Sequence, residues 1–398
     1  MKILYLTQRL PFGNGETFVI PEIETLLARG HDVLILPRLS GEPVVHDDAV
    51  ALVSHTRVLP RAPVILRAVL RTLIRHPLVT LRAFWRLHHT RPRPRTWSNT
   101  IATAQGIWVA DLAREWGAEH IHAHWAHLPA TIAMSASAFS GIPWSFTGHR
   151  YDVVLNNLLR DKLRSARFGR FIAHRMLEHA SPLVGEDAIA HATVLHVGVS
   201  LPSGPLLLPP LREEPVMLCP ARLIRVKGHP HLLDAAALLR DRGIPFRLQL
   251  AGSGPEEERI RRRIAELGLT DRVRLLGLVP HAELLRRYRH GEVDCVVLPS
   301  VDLGHGEHEG ISVALIEAMA HGVPVVSTTT GGQAELLGGG SGVMVPPADS
   351  AALADALQRM LESRPRRLEL GWRGRGRVEE EFDIARVADE LIRRFAAA

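Results

Sequence analysis

Two carboxylates with seven residues between them, Glu309 and Glu317 in EGISVALIEAMAHGVPVV, stand at the start and in the body of a segment whose apolar periodicity predicts a helix. Eight helical positions make a little over two turns, which brings both carboxylates near one face. At the amino end Gly310, Ile311 and Ser312 offer free N–H groups, and these, with the helix macrodipole, suit a phosphate. Upstream, PARLIRVKGHP places Arg222 and Lys227 just after an apolar run of strand type. Two cations and a helix amino end converging on one cleft describe a diphosphate site. The chain has no Asp-x-Asp, so the carboxylate pair that commonly holds Mg or Mn is missing, and the site is expected to work without a metal or other cofactor.

Other segments carry weaker signals. AGSGPEEE, residues 251–258, reads as a structural strand-to-helix turn near the same site, because a lone glycine pattern says little about phosphate. His122, His124 and His127 in HAHWAH invite a zinc reading, but they lack a fourth ligand of recognisable spacing and no cysteine is near. They are expected to pack beneath the cleft and hydrogen-bond its loops. Glu335, in GGQAEL, reads as a carboxylate at a helix amino end.

Strands must hold these residues in place. Short apolar runs recur at 2–6, 32–37, 119–125, 143–148, 170–174 and 192–198, with helical patterns between them. A second series follows in PVMLCPAR, FRLQLAG, RVRLLGLV, VDCVVLPS, VPVVSTTT and GVMVPP. Continuous rather than alternating runs predict strands buried on both faces, hence parallel sheets covered by helices. Residues 201–214, with four prolines and no periodicity, predict a linker. The expected α/β fold is two Rossmann-like domains, 1–200 and 201–380, facing a cleft at the carboxyl ends of their strands. DIARVADELIRRF predicts a final amphipathic helix over 383–395.

Hydrophobic residues at 46% and charged residues at 23% exclude a disordered or fibrous chain. Cys219 and Cys295 lie inside apolar runs and behave as small core groups, which fits a reducing cytoplasm. The apolar run behind Lys2 is too short for a signal peptide, and no apolar stretch is long enough to span a bilayer. Residues 1–200 hold 22 Lys and Arg against 15 Asp and Glu, whereas 201–398 hold 26 against 27. The positive field comes from residues 49–110, with ten arginines and no acid. There Arg67, Arg71 and Arg75 form one helical stripe and Leu66, Val69, Leu70 and Leu73 another. That pattern serves an ordinary surface helix or one lying on an anionic membrane at the inner face. Nucleic acid is not expected, since no aromatic interleaving or recognised module accompanies the arginines.

With the E-x7-E, the R-x4-K-G of Arg222, Lys227 and Gly228, the segment GVPVVSTTTGGQAEL and SFTGHRYD at 145–152, the sequence resembles the family 4 retaining glycosyltransferases of the GT-B fold over nearly its whole length. GNGETFVIPEI, residues 13–23, and SFTGHRYD look most like members that build exopolysaccharides. The resemblance implies transfer of a hexosyl group from a nucleotide diphosphate sugar to an acceptor hydroxyl on a glycan, a lipid-linked saccharide or a small natural product. A nucleotide-sugar hydrolase or epimerase on the same scaffold is the rival. It implies that Glu317 takes the ribose hydroxyls, Glu309 the donor sugar, and Arg222 and Lys227 the β-phosphate, beside Gly310, Ile311 and Ser312. Gly13 and Gly15 would let backbone approach the phosphates or the acceptor. His149 would reach the sugar, Asp152 would orient it or bind acceptor, and Glu16 would contact acceptor. The last helix would cross back to the first domain.

Overall fold

The computed structural model describes residues 1–13, 15–89, 95–204, 206–304 and 308–397, the side chains of 86–89 excepted. Asn14 of the N-terminal glycine loop, Pro205 of the linker and residues 90–94 of the arginine-rich insertion, Arg91 and Arg93 among them, lie outside the described residues. The chain forms two units, residues 1–197 with 385–398, and residues 198–384.

The first unit holds a six-stranded sheet of β1 (Lys2–Thr7), β2 (Asp32–Pro37), β3 (His120–His124), β4 (Trp144–Gly148), β5 (Phe168–Phe171) and β6 (Ala192–Val194) in the order β2-β1-β3-β4-β5-β6. Every pairing is parallel. β3, β4 and β5 are buried along their whole length, as continuous apolar runs require when helices cover both faces. β5 begins two residues earlier than the run at 170–174 predicts, because Phe168 packs on Phe395 while the chain beyond Phe171 turns into the helix His174–Val184. The sheet is walled on one side by the helix Ile384–Ala396, whose Val387, Ala388, Leu391 and Phe395 are buried at helical spacing. Phe395 lies 4.6 Å from the His120 ring, and Arg167 donates to its carbonyl oxygen at 2.5 Å.

The second unit holds β7 (Val216–Pro220), β8 (Arg247–Ala251), β9 (Val273–Gly277), β10 (Cys295–Leu298), β11 (Val325–Thr328) and β12 (Val343–Val345), again all parallel. Their order, β12-β11-β10-β7-β8-β9, reverses direction between β10 and β7. That switch point opens a crevice at the carboxyl ends of the two strands, where doubly wound sheets take ligands. Cys219 and Cys295 sit on these neighbouring strands, buried and unpaired, and burial pushes both thiols up to about 12. They are core groups without nucleophilic character.

Candidate active site

In the second unit the loops after β7, β10 and β11 are bound to one another by backbone. Gly228 has φ +68° and a Cβ there would stand 1.9 Å from the Pro299 oxygen, so only glycine fits. Beside it Val301 N–H donates to Val226 O at 2.9 Å. The turn carrying Lys227 is thereby fixed to the chain leaving β10. Gly331, with φ +64°, is constrained in the same way, for a Cβ there would stand 1.8 Å from the Glu309 carbonyl oxygen. Lys227 Nζ and a Glu309 carboxylate oxygen are in direct contact, with side chains 16% and 17% exposed. Arg222, beyond β7, is exposed and has no ion pair or side-chain hydrogen bond among the described residues.

Glu309 does not lie on the helix with Glu317, as the spacing predicts. Ser312 is extended and forms the N-cap, so the helix runs Val313–Ala320 and Glu309 stays in the loop ahead of it. Gly310 and Ile311 accordingly lie against Gly332, and the N–H groups left open by the first turn belong to Val313 and Ala314. Glu317 instead accepts from His281 Nε2 at 2.8 Å. Below it Tyr288 is buried with its hydroxyl unpartnered among the described residues, as are Ser300 Oγ and both amide atoms of Gln333. The AGSG turn is structural, for Gly252 and Gly254 press against the backbone of Ala221 and Leu223 and so support the Arg222 loop.

In the first unit the loop after β1 is built around Glu16. Its buried carboxylate accepts from the N–H groups of Gln8 (3.1 Å), Arg9 (2.5 Å) and Leu10 (2.8 Å), and from Trp125 Nε1. Four donors occupy the lone pairs of two oxygens, which corrects the acceptor contact expected of Glu16: it shapes the loop. Gly13 has φ +72° and its N–H bonds to Pro43 O at 2.9 Å, while Gly15 faces open space. Asp152 also differs from a surface contact. It is buried, accepts the His149 N–H at 2.8 Å, and burial raises its carboxyl to about 6. Its bond is to the His149 backbone and closes the first turn of the helix Arg150–Leu155.

His149 follows β4 and is largely buried, with Nε2 turned inward to His124 Nε2 at 2.8 Å. Its ring packs at 4.3 Å from Trp125, a residue held at φ +95°, where a bulky side chain is strained. Behind them lies a buried group that the sequence does not announce. Tyr5 hydroxyl meets both Glu22 and His124 Nδ1, and Arg170 Nη1 donates to Glu22 at 2.6 Å. One ligand atom each of Glu22, His122 and His124 lie within 4.8 Å of one another. Those rings are committed to protein partners, His122 to Ser145 and Thr147 and His124 to Tyr5 and His149, and Arg170 already meets the carboxylate. The histidines of HAHWAH therefore act as a hydrogen-bonded core. His127, the last of them, caps the helix Leu128–Ser140.

Residues 209–377 match the family described as glycosyl transferases group 1. A relative named for colanic acid biosynthesis, the glycosyltransferase WcaL of Salmonella typhimurium, is 30% identical over 381 residues, which is 90% of each chain. The chain belongs to this glycosyltransferase family. A second relative of the enzyme, the GDP-mannose-dependent α-(1-6)-phosphatidylinositol monomannoside mannosyltransferase of Mycolicibacterium smegmatis, is 31% identical over 67% of each chain. Among solved structures, HepE of Anabaena in complex with UDP superposes at a TM-score of 0.72 with 18% identity over the whole of both chains. The glycosyltransferase thus has the GT-B architecture of two Rossmann-like units. His281, Gln333 and Glu22 are the site residues that sequence reasoning passes over. An acid among the buried positions of an apolar helix, Glu22 beside Ile23 and Leu26 in IPEIETLLA, is the signal that would have found Glu22.

Proposed function

We propose that this glycosyltransferase moves a hexosyl group from a nucleoside diphosphate sugar to a hydroxyl of a glycan or lipid-linked saccharide, retaining the anomeric configuration. The contact of Lys227 with Glu309 beside the β7/β10 switch carries the reading. It sets a cation and a carboxylate just ahead of an open helix amino end. As the glycosidic bond breaks, charge develops on the β-phosphate. Lys227, Arg222 and the N–H groups of Val313 and Ala314 meet it without a metal. Glu309, released from Lys227, accepts hydrogen bonds from the donor sugar, and Glu317 exchanges His281 for the ribose hydroxyls. A double displacement needs a carboxylate nucleophile at the anomeric carbon, and we assign none to that role among the described residues. Front-face transfer, with a diphosphate oxygen helping to deprotonate the acceptor, is the mechanism that fits. The names of the Salmonella and Mycolicibacterium relatives support a glycan or glycolipid acceptor.

A panel of nucleotide sugars tested by thermal shift identifies the donor, because a ligand at a hundred times its Kd stabilises by about 2.7 kcal/mol. Glu317→Ala is expected to weaken the best nucleotide about tenfold in calorimetry, the loss of a hydrogen bond to a charged group. An unchanged affinity removes Glu317 from the ribose site.

The insertion supports a contact with anionic membrane. Among the described residues no helix is long and apolar enough to cross a bilayer. The helix Ala62–Arg75 instead turns part of its apolar surface outward, Val69 and Leu73 of the expected stripe being half-buried. Leu66, Leu70 and Ile74 are exposed, Ile74 by 82%, while Arg67 and Arg71 line a groove with Trp108 and Asp111. Leu78, Leu81 and Trp85 continue the exposed apolar surface on the next helix, Pro77–His89. Near an anionic surface each arginine contributes about 1 kcal/mol within a Debye length. The protein is expected to sediment with phosphatidylglycerol vesicles at low salt and to be released at high salt. Leu66, Leu70 and Ile74 changed together to Asp should abolish binding. No sedimentation of the parent protein defeats the membrane reading.

A further inference from the structure

Hydrogen positions along the buried chain from Arg170 to His149 follow from its one fixed end. Burial alone would raise the Glu22 carboxyl, but the Arg170 guanidinium, bonded at 2.6 Å, and the hydrogen bonds that the carboxyl accepts hold it below the usual range. An ionised carboxylate only accepts, so the Tyr5 hydroxyl donates to Glu22. Tyr5 oxygen must then accept from His124 Nδ1, 3.0 Å away. His124 is wholly enclosed and burial keeps it neutral, so a proton on Nδ1 leaves a lone pair on Nε2. The neighbouring His149 Nε2, at 2.8 Å, is left as the donor, and its Nδ1 carries the lone pair, at the amino end of the helix Arg150–Leu155 where the Asp152 N–H also lies.

We propose that Glu22, acting through Tyr5 and His124, is a positioning residue that fixes His149 as the Nε2–H tautomer, so that the ring meets a donor-sugar hydroxyl only as an acceptor, through Nδ1. This rests on the reading that His149 faces the donor sugar. It gives the carboxylate, phenol and inner imidazole one task. They orient a ring that neither takes nor gives a proton during transfer. A reversed chain would put a proton on His149 Nδ1 and repel the same hydroxyl as it donates.

Nitrogen-15 NMR of histidine-labelled protein distinguishes the two neutral tautomers, with His124 and His149 assigned from His124→Gln and His149→Gln. The parent protein should show His124 as Nδ1–H and His149 as Nε2–H; the reverse pattern overturns the proposal without any change to the relay. Tyr5→Phe keeps the ring and removes the hydroxyl. It is expected to yield mixed tautomers at both histidines and about a tenfold fall in kcat with little change in donor KM. A His149 tautomer unaltered in Tyr5→Phe overturns the relay. If the tautomer changes while kcat does not, the relay stands and the sugar contact of His149 is overturned. Absence of any glycosyl transfer by the parent protein counts against the proposed activity alone.

Discussion

Lys227→Ala is expected to lower turnover about a hundredfold while leaving the thermal unfolding of the protein nearly unchanged. Removing one preorganised charge from a developing oxyanion commonly raises the barrier by about 3 kcal/mol. The turn around Lys227 is held by Gly228 against Pro299 and by the Val301 to Val226 hydrogen bond, neither of which involves the ammonium group. Deleting the side chain leaves Glu309 in a half-open setting where water reaches it. Steady-state assays of both proteins, with and without EDTA, check this. Activity within twofold of the parent defeats the assignment, and turnover lost in EDTA and restored by Mg or Mn places an ion where Lys227 is assigned.

A second large effect is acid lability of the first unit. Burial holds His120, His124 and His149 well below their usual range and brings His122 and His127 to about 3. Between pH 6.5 and those values the unfolded chain binds protons that the folded chain refuses. The contribution of these histidines is therefore complete above about 6.5 and is lost as the pH falls, by up to about 1.4 kcal/mol per unit for each. Asp152, raised to about 6, works the opposite way over a narrower interval. The sum between pH 7 and 5 is on the order of 5 kcal/mol, comparable to the whole stability of many domains. Six of the seven tryptophans precede residue 198, so fluorescence melts report this unit. A melting temperature constant from pH 7.5 to 5 contradicts the prediction.

The strands were legible because each is a continuous apolar run between helical patterns, and β10, VVL flanked by Cys295 and Pro299, shows why that signal is strong. The E-x7-E was legible as a pair but not as geometry. Ser312 prefers to cap a helix over extending it, so the regular count from Glu309 to Glu317 breaks at the cap. The roles of Glu16 and Asp152 were not legible. A carboxylate in a glycine loop reads the same whether it faces a ligand or gathers backbone N–H groups, and only the fold brings Trp125 to Glu16. The relay through Glu22, Tyr5 and Arg170 joins positions up to 148 residues apart, which no local spacing records.

The helix Ile384–Ala396 has a bearing on how the protein is made. It follows the second unit in the chain yet supplies the wall of the first, setting Phe395 against His120, His122 and Phe168. On the ribosome the first unit therefore emerges with the part of its sheet that Phe395 covers, around His120, His122 and Phe168, bare. At about 5–20 residues per second, that part waits roughly 10–40 s for Phe395. The second unit, continuous from 198 to 384, is complete before then and can fold first. The usual order of synthesis, in which the leading domain folds ahead of the trailing one, is inverted, and the exposed histidine strand is the surface that a chaperone would have to cover meanwhile.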